Sequence, residues 1–252
     1  GFTDYFAYFV PWRAGVVDDA SFQATLSGKL GEAETAHRSA QTSMQLAGGP
    51  VFFEGGAAHD LVYSGGLVLG LWLDHWLRRA DHGSTLENLL RVYYEYPRWK
   101  ENPEARVEHL VDALTRIGRK DLVDHLREIS TNEQPIDWQA RFGELGYRVE
   151  RKLIPAELSV RANFDGTTIT GINPQGCGGL LGLRAGDTLL QVNGVAVATE
   201  AEVRAAFPQL VDDKFELSYT RADGPPISMT AARPTILRYT IPLELMTDLR
   251  SQ

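Results

Sequence analysis

Apolar positions recur at helical spacing through the first 148 residues and give way to short alternating runs after Gly146. The aromatics Phe2, Tyr5, Phe6 and Phe9 open a helix over residues 1–14, which Pro11 is expected to kink or shorten and Gly15 to stop. Asp18 or Asp19 caps a second helix running towards Gly31. Four glycines and a proline between Ala47 and Ala58 mark a loop. An apolar helix is predicted from Tyr63 to Ala80, stopped by Gly83. Ser84 and Glu87 have capping-box spacing for a helix to Tyr94. Asn102-Pro103 opens a helix with Val107, Leu110, Val111 and Leu114 on one face and Gly118 at its end. Helices over 120–129 and 137–145 complete an all-helical first half. Beyond it, strands are predicted at 167–172, 188–192 and 215–219, separated by the turn pairs Asp165-Gly166, Asn193-Gly194 and Asp223-Gly224. One helix, Glu200 to Phe207, lies among them. Residues after Thr235 read as a less patterned tail. The expectation is an α+β chain with a helical unit over 1–148, a small β-rich domain over 149–235 and a tail over 236–252.

Composition narrows the function. At 252 residues and 43% hydrophobic content, the chain is long enough for two ordinary domains with buried cores. Residues 1–150 hold 15 basic and 22 acidic side chains and the remainder 10 and 11, so neither half has the basic excess of a nucleic-acid binder. The longest apolar stretch, Leu61 to Leu77, is broken by Asp74 and His75 and reads as a buried helix, not a membrane span. The start carries no signal-peptide pattern. Cys177, the single cysteine, lies among glycines with no matched histidine and reads as structural. None of the six histidines has helical ligand spacing; His37, His109 and His125 fall on expected polar faces. Tyr93, Tyr94, Tyr96 and Trp99 read as a helix end packed on a neighbour.

Gly182-Leu183, Gly186-Asp187 and Asn193-Gly194, followed by a helix, resemble the signature of PDZ domains in the permuted strand order of bacterial proteases. The resemblance covers about Ala156 to Arg233. It implies an extended peptide added as a strand beside a sheet edge, next to the helix. The peptide-binding residues it implies are Leu158, Ser159, Val160 and Arg161 on the strand and Val203 and Phe207 on the helix. The preceding loop, Pro155 to Ser159, lacks the family's glycine, and Glu157 would repel a terminal carboxylate. Internal peptide segments or an intramolecular docking role are therefore expected.

The opening Gly1-Phe2-Thr3-Asp4-Tyr5 with Arg13-Ala14-Gly15, the segment Val62 to Asp74, and Ser84 to Leu90 together resemble stretches of the glycyl aminopeptidase family, PDZ-bearing zinc metallopeptidases. The resemblance implies that the first half is the helical portion of a thermolysin-like aminopeptidase catalytic region. In the family a glutamate directly before the first segment is the third zinc ligand, and H-E-x-x-H lies upstream. This chain begins after that position and holds no H-E-x-x-H, so it carries none of the zinc ligands. It reads as the C-terminal part of a longer, bacterial, soluble protein, cytoplasmic or periplasmic. Zinc is expected in the parent and peptides as substrates. Alone, the chain should not hydrolyse them. Tyr63 matches the second tyrosine of the family's pair and is the candidate donor to the developing oxyanion; Val62 replaces the first tyrosine and Gly65 the family's lysine. The alternative is a non-catalytic scaffold working through the PDZ groove.

Overall fold

The computed structural model describes residues 2–49, 51–52, 56–79, 83–96, 106–222 and 224–251. The expectations that rest on Ala80, His82, Trp99, Asn102-Pro103 and Asp223 lie outside the described residues. The chain divides into two compact units, the first comprising Gly1–Lys152 with Leu237–Gln252 and the second Leu153–Ile236.

The first unit is helical, with α1 (Phe2–Arg13), α2 (Asp19–Ala40), α3 (Met44–Ala47), α4 (Gly56–Asp60), a π-helical turn (Leu61–Gly65), α5 (Gly66–Arg79), α6 (Leu86–Glu95), α7 (Arg106–Arg116), a 3₁₀ turn (Lys120–Leu122), α8 (Val123–Thr131) and α9 (Trp138–Glu144). In α1, Tyr5, Phe9 and Trp12 recur at helical spacing and are buried, with Trp12 stacked on Phe22 at 4.3 Å. The helix runs through Pro11 to Arg13, and Gly15 leaves it at φ +75°. The Asp18 carboxylate accepts from the Ser21 N–H and starts α2, as expected. The helix expected to run towards Gly31 is longer: α2 continues to Ala40 and ends at Gln41 in the left-handed region. Gly31 serves instead for close approach, since a Cβ there would lie 2.0 Å from the carbonyl oxygen of Leu237.

α5 is buried on nearly every face, which suits a central helix. Its Asp74 carboxylate, also buried, accepts from the Tyr5 hydroxyl at 2.7 Å, the Arg78 Nε at 2.7 Å and the Leu86 N–H at 2.6 Å. That N–H begins α6, so Asp74 compensates the positive end of its neighbour. The cap of α6 is Thr85, not the expected Ser84. His37 and His109 are buried rather than solvated, His37 holding the Asn132 carbonyl at 3.0 Å.

The second unit is an antiparallel sheet in the order β2-β3-β4-β6-β7 with β5 beside β4. Its strands are β2 (Ala162–Asp165), β3 (Thr168–Ile172), β4 (Asp187–Val192), β5 (Val195–Ala196), β6 (Lys214–Arg221) and β7 (Ile227–Ala232), with helices α10 (Cys177–Leu180) and α11 (Glu200–Ala206). Two polar residues of the sequence motif hold it together. Asp187, fully buried, accepts from the Arg184 N–H at 2.8 Å and from Arg221 through both oxygens at 2.7 and 2.8 Å. Asn193, at φ +51°, accepts from the Glu216 N–H and donates to the carbonyls of Ala206 and Phe207, closing the end of α11. The strand expected at Leu158 to Arg161 is corrected: residues 156–161 are irregular, Arg161 stands at φ +48°, and the strand begins at Ala162. Gly176 and Gly178 admit this segment, because a Cβ on either would lie under 3.0 Å from Arg161 Cβ or the Val160 carbonyl oxygen.

A two-stranded sheet pairs β1 (Glu150–Pro155) with β8 (Thr235–Thr240). The residues expected as a tail form the end of β8 and a helix, α12 (Leu243–Ser251), and Leu237, Tyr239, Ile241, Leu245, Met246 and Leu249 join the core of the first unit. Periodicity missed them because their hydrophobic face is complete only against helices two hundred residues earlier.

Candidate functional site

In the first unit the chemistry gathers where α4 runs through the π-helical turn into α5. Such turns widen one helical step and occur often at functional positions. Here the sequence permits one because Gly65 and Gly66 end the turn, and a Cβ on Gly65 would stand 3.0 Å from Met44 Cε. Leu61 and the buried alanines 36, 47 and 58 form a small apolar cluster beneath it.

Tyr63 sits in the turn, partly buried. Its ring packs against His59, one helical step earlier, at 4.5 Å between centroids and lies 6.0 Å from Phe52. His59 in turn stacks on Phe52 at 5.1 Å. Among the described residues the Tyr63 hydroxyl has no hydrogen-bond partner. The His59 and Phe52 rings thus pack against the phenol at tilted angles, and among the described residues nothing takes its hydroxyl, the arrangement that a positioned hydrogen-bond donor needs.

A charged group flanks the turn. The buried Ser64 hydroxyl donates to Glu32 Oε2 at 2.9 Å, and Lys29 Nζ reaches the same oxygen at 2.9 Å and Ser64 Oγ at 3.3 Å. Burial works to lower the Lys29 pKa, but the hydrogen bond and charge of Glu32 carry it above the ordinary value. The Ser64 hydroxyl is thus spent on Glu32 rather than offered to a base. Asp60 is pushed up by burial and by the charge of Glu32. Its oxygen lies 4.0 Å from His59 Nδ1. Sequence reasoning missed Lys29 and Glu32, which carry no motif and are brought to Ser64 by the packing of α2 against the turn.

The remaining sequence candidates lie in the second unit. Val203 and Phe207 are fully buried in its core, with Phe207 on Phe215 at 4.8 Å, and Val160 is buried beside them. Leu158 and Ser159 are half-buried, and Arg161 is exposed and ion-paired with Glu157. β2 is the edge of the sheet, and α11 lies next to it: Arg204 Nη2 of α11 donates to the Ala162 carbonyl at 2.8 Å.

Among the described residues no three His, Cys, Asp or Glu side chains converge on a common point. No described helix is long and apolar enough to cross a membrane. No protein-family model and no curated protein matches the chain. Among solved structures, an aminopeptidase N family protein from Idiomarina loihiensis superposes over 99% of the chain with a TM-score of 0.61 at 19% sequence identity. The chain spans 47% of that protein's length. The chain thus combines helix and sheet in an aminopeptidase-like fold.

Proposed function

We propose that the chain is the C-terminal part of a zinc-dependent aminopeptidase of the glycyl aminopeptidase type, with Tyr63 as hydrogen-bond donor to the substrate's developing oxyanion and the second unit as a PDZ domain that binds extended peptides. The observation that carries the reading is the Tyr63 hydroxyl, without a hydrogen-bond partner among the described residues and packed by two rings in a π-helical turn at the start of a buried helix, in the segment where the sequence resembles that family. The aminopeptidase-like fold supports it. The zinc belongs to the parent on the family resemblance, and the one step given to this chain is donation from the phenol. The donor must be neutral and fixed before the charge develops, since a donor that reorganises during the reaction loses much of its advantage. For the second unit, the support is β2 at the end of the strand order with α11 beside it, the geometry of strand addition.

The test uses the full-length parent. Its coding sequence upstream of Gly1 should place a glutamate directly before that residue and an H-E-x-x-H further back. The purified protein should contain one zinc and release the amino-terminal residue from aminoacyl anilides. Tyr63→Phe should lower kcat by about 10²–10³ with KM nearly unchanged. An unaltered kcat removes Tyr63 from the mechanism. A parent with neither motif nor activity leaves a peptide-binding scaffold.

A further inference from the structure

The edge of the second unit is already occupied. In the antiparallel ladder between β2 and β3, Ala162 stands opposite Ile172, while the Asn173 N–H donates to the Arg161 carbonyl at 3.0 Å. Alternate residues of such a ladder bond across it, so with Arg161 turned to β3 the carbonyl of Ala162 points away from the sheet. That outward carbonyl is an acceptor that an added strand would use. It accepts instead from Arg204 Nη2 at 2.8 Å.

Arg204 is well held there. Its Nε donates to Glu200, one turn earlier on α11, at 2.7 Å, and its guanidinium lies over the Phe164 ring at 5.5 Å. Phe164 belongs to β2 itself, so the arginine spans from helix to strand and touches two residues of the edge. α11 is fixed behind it by the capping box of Thr199 and Glu202 and by Asn193 at its far end. Sheet edges are commonly protected against unwanted pairing by an added charge or a covering side chain.

We propose that Arg204 is an intramolecular clasp on the strand-accepting edge of the second unit, which an incoming peptide must displace from Ala162 before it can pair with β2. The inference rests on the strand-addition reading above and adds a determinant to it. With Arg204 in place, only ligands that repay its three contacts gain the edge. The side chain is about half exposed, so its release costs little and the edge is gated rather than sealed.

The experiment uses the full 252-residue chain as wild type, Arg204→Ala and Arg204→Gln. Each is panned against a displayed library of random heptapeptides, and the recovered peptides are measured by fluorescence polarisation, with circular dichroism and thermal melting as controls for folding. The same peptides should bind both variants about fivefold more tightly than wild type. N-methylation of the peptide residue that donates to Ala162 should abolish that gain. Equal affinity for all three proteins, with N-methylation still harmful, overturns the clasp and leaves strand addition standing. No peptide recovered by any of the three overturns strand addition and the clasp with it. If Arg204→Ala alone melts early, Arg204→Gln, which keeps the aliphatic stem, decides.

Discussion

Gly31→Ala puts opposing effects on one methyl group. In an isolated helix the change is favourable by about 1 kcal/mol, because alanine has less backbone freedom to lose. Here the new Cβ would lie 2.0 Å from the Leu237 carbonyl oxygen and 2.7 Å from its carbon. Both are backbone atoms, so relief requires β8 to withdraw from α2 by about 1.5 Å to regain ordinary contact distance. Withdrawal strains the next residues of the strand. The Tyr239 hydroxyl donates to the buried Glu34 at 2.6 Å and its N–H to Ser27 Oγ at 3.3 Å. Glu34 also holds Arg38 and Arg151 at 2.6 and 2.7 Å, so one carboxylate ties both strands to α2. Overpacking costs about 1–3 kcal/mol, and a weakened hydrogen bond to a charged group about 1.5–3 kcal/mol. Against the propensity gain, the net loss is about 3 kcal/mol, a large share of a stability near 5–15 kcal/mol. All five tryptophans fall in the sequence of the first unit, so their fluorescence during urea unfolding reports that unit alone. The midpoint should fall well below that of the wild type with the slope unchanged. A midpoint equal to or above the wild type would mean that helix propensity wins and that β8 does not approach α2 as described.

In the second unit, Asp187→Ala strands the Arg184 N–H and the Arg221 fork and should cost about 2 kcal/mol, read by hydrogen exchange of that unit's amides with the tryptophan signal unmoved. Burial pushes the Asp187 carboxyl up, but Arg221 and the Arg184 N–H bring it below the ordinary aspartate range. Its stabilisation is therefore present above about pH 4 and lost as the pH falls through its folded value; a unit equally stable at pH 2 and 6 would refute this. In the first unit, burial and the charge of Arg79 lower the His75 pKa to about 4 against the opposing charges of Asp248 and Asp74. The unfolded chain takes up that proton first, so stability should drop by about 3 kcal/mol between pH 6.5 and 4, and His75→Gln should flatten that slope. Val203→Glu and Phe207→Glu would bury a charge in the core, so both should unfold the second unit, and folded variants would show these side chains to be mobile.

What the sequence makes legible is what neighbours in sequence decide. Asp18 as a cap, the stops at Gly15, Gly118 and Gly146, and β3, β4, β6 and α11 within a residue or two all follow from local turn chemistry and period. The errors share a cause in distance. The role of Gly31 shows only once Leu237 arrives from the other end of the chain. The polar face given to His37 is covered by the segment at Asn132, and the tail gains its pattern only against the core of the first unit. For Val203 and Phe207, four residues apart, spacing gives a shared face but not which way that face turns, and both are buried in the core of the second unit.

Tyr63 shows the same limit at a site. The sequence supplies a tyrosine at the head of an apolar run and a family segment to compare it with, and nothing in a 3.6-residue period announces the π-helical turn. Yet the turn changes what the residue can do. In a regular α-helix Ser64 and Gly65 would follow at a fixed angular step, and the residues around Tyr63 would share the packing of a buried helix. The widened step places buried Ser64 against Glu32 and Lys29 while Tyr63, next to it, keeps a hydroxyl with no partner among the described residues. A polar group left free beside a tightly satisfied neighbour is costly unless solvent or a ligand completes it. Among the described residues the hydrogen bonds thus go to Ser64 and none to Tyr63, in the turn that leads into the buried α5.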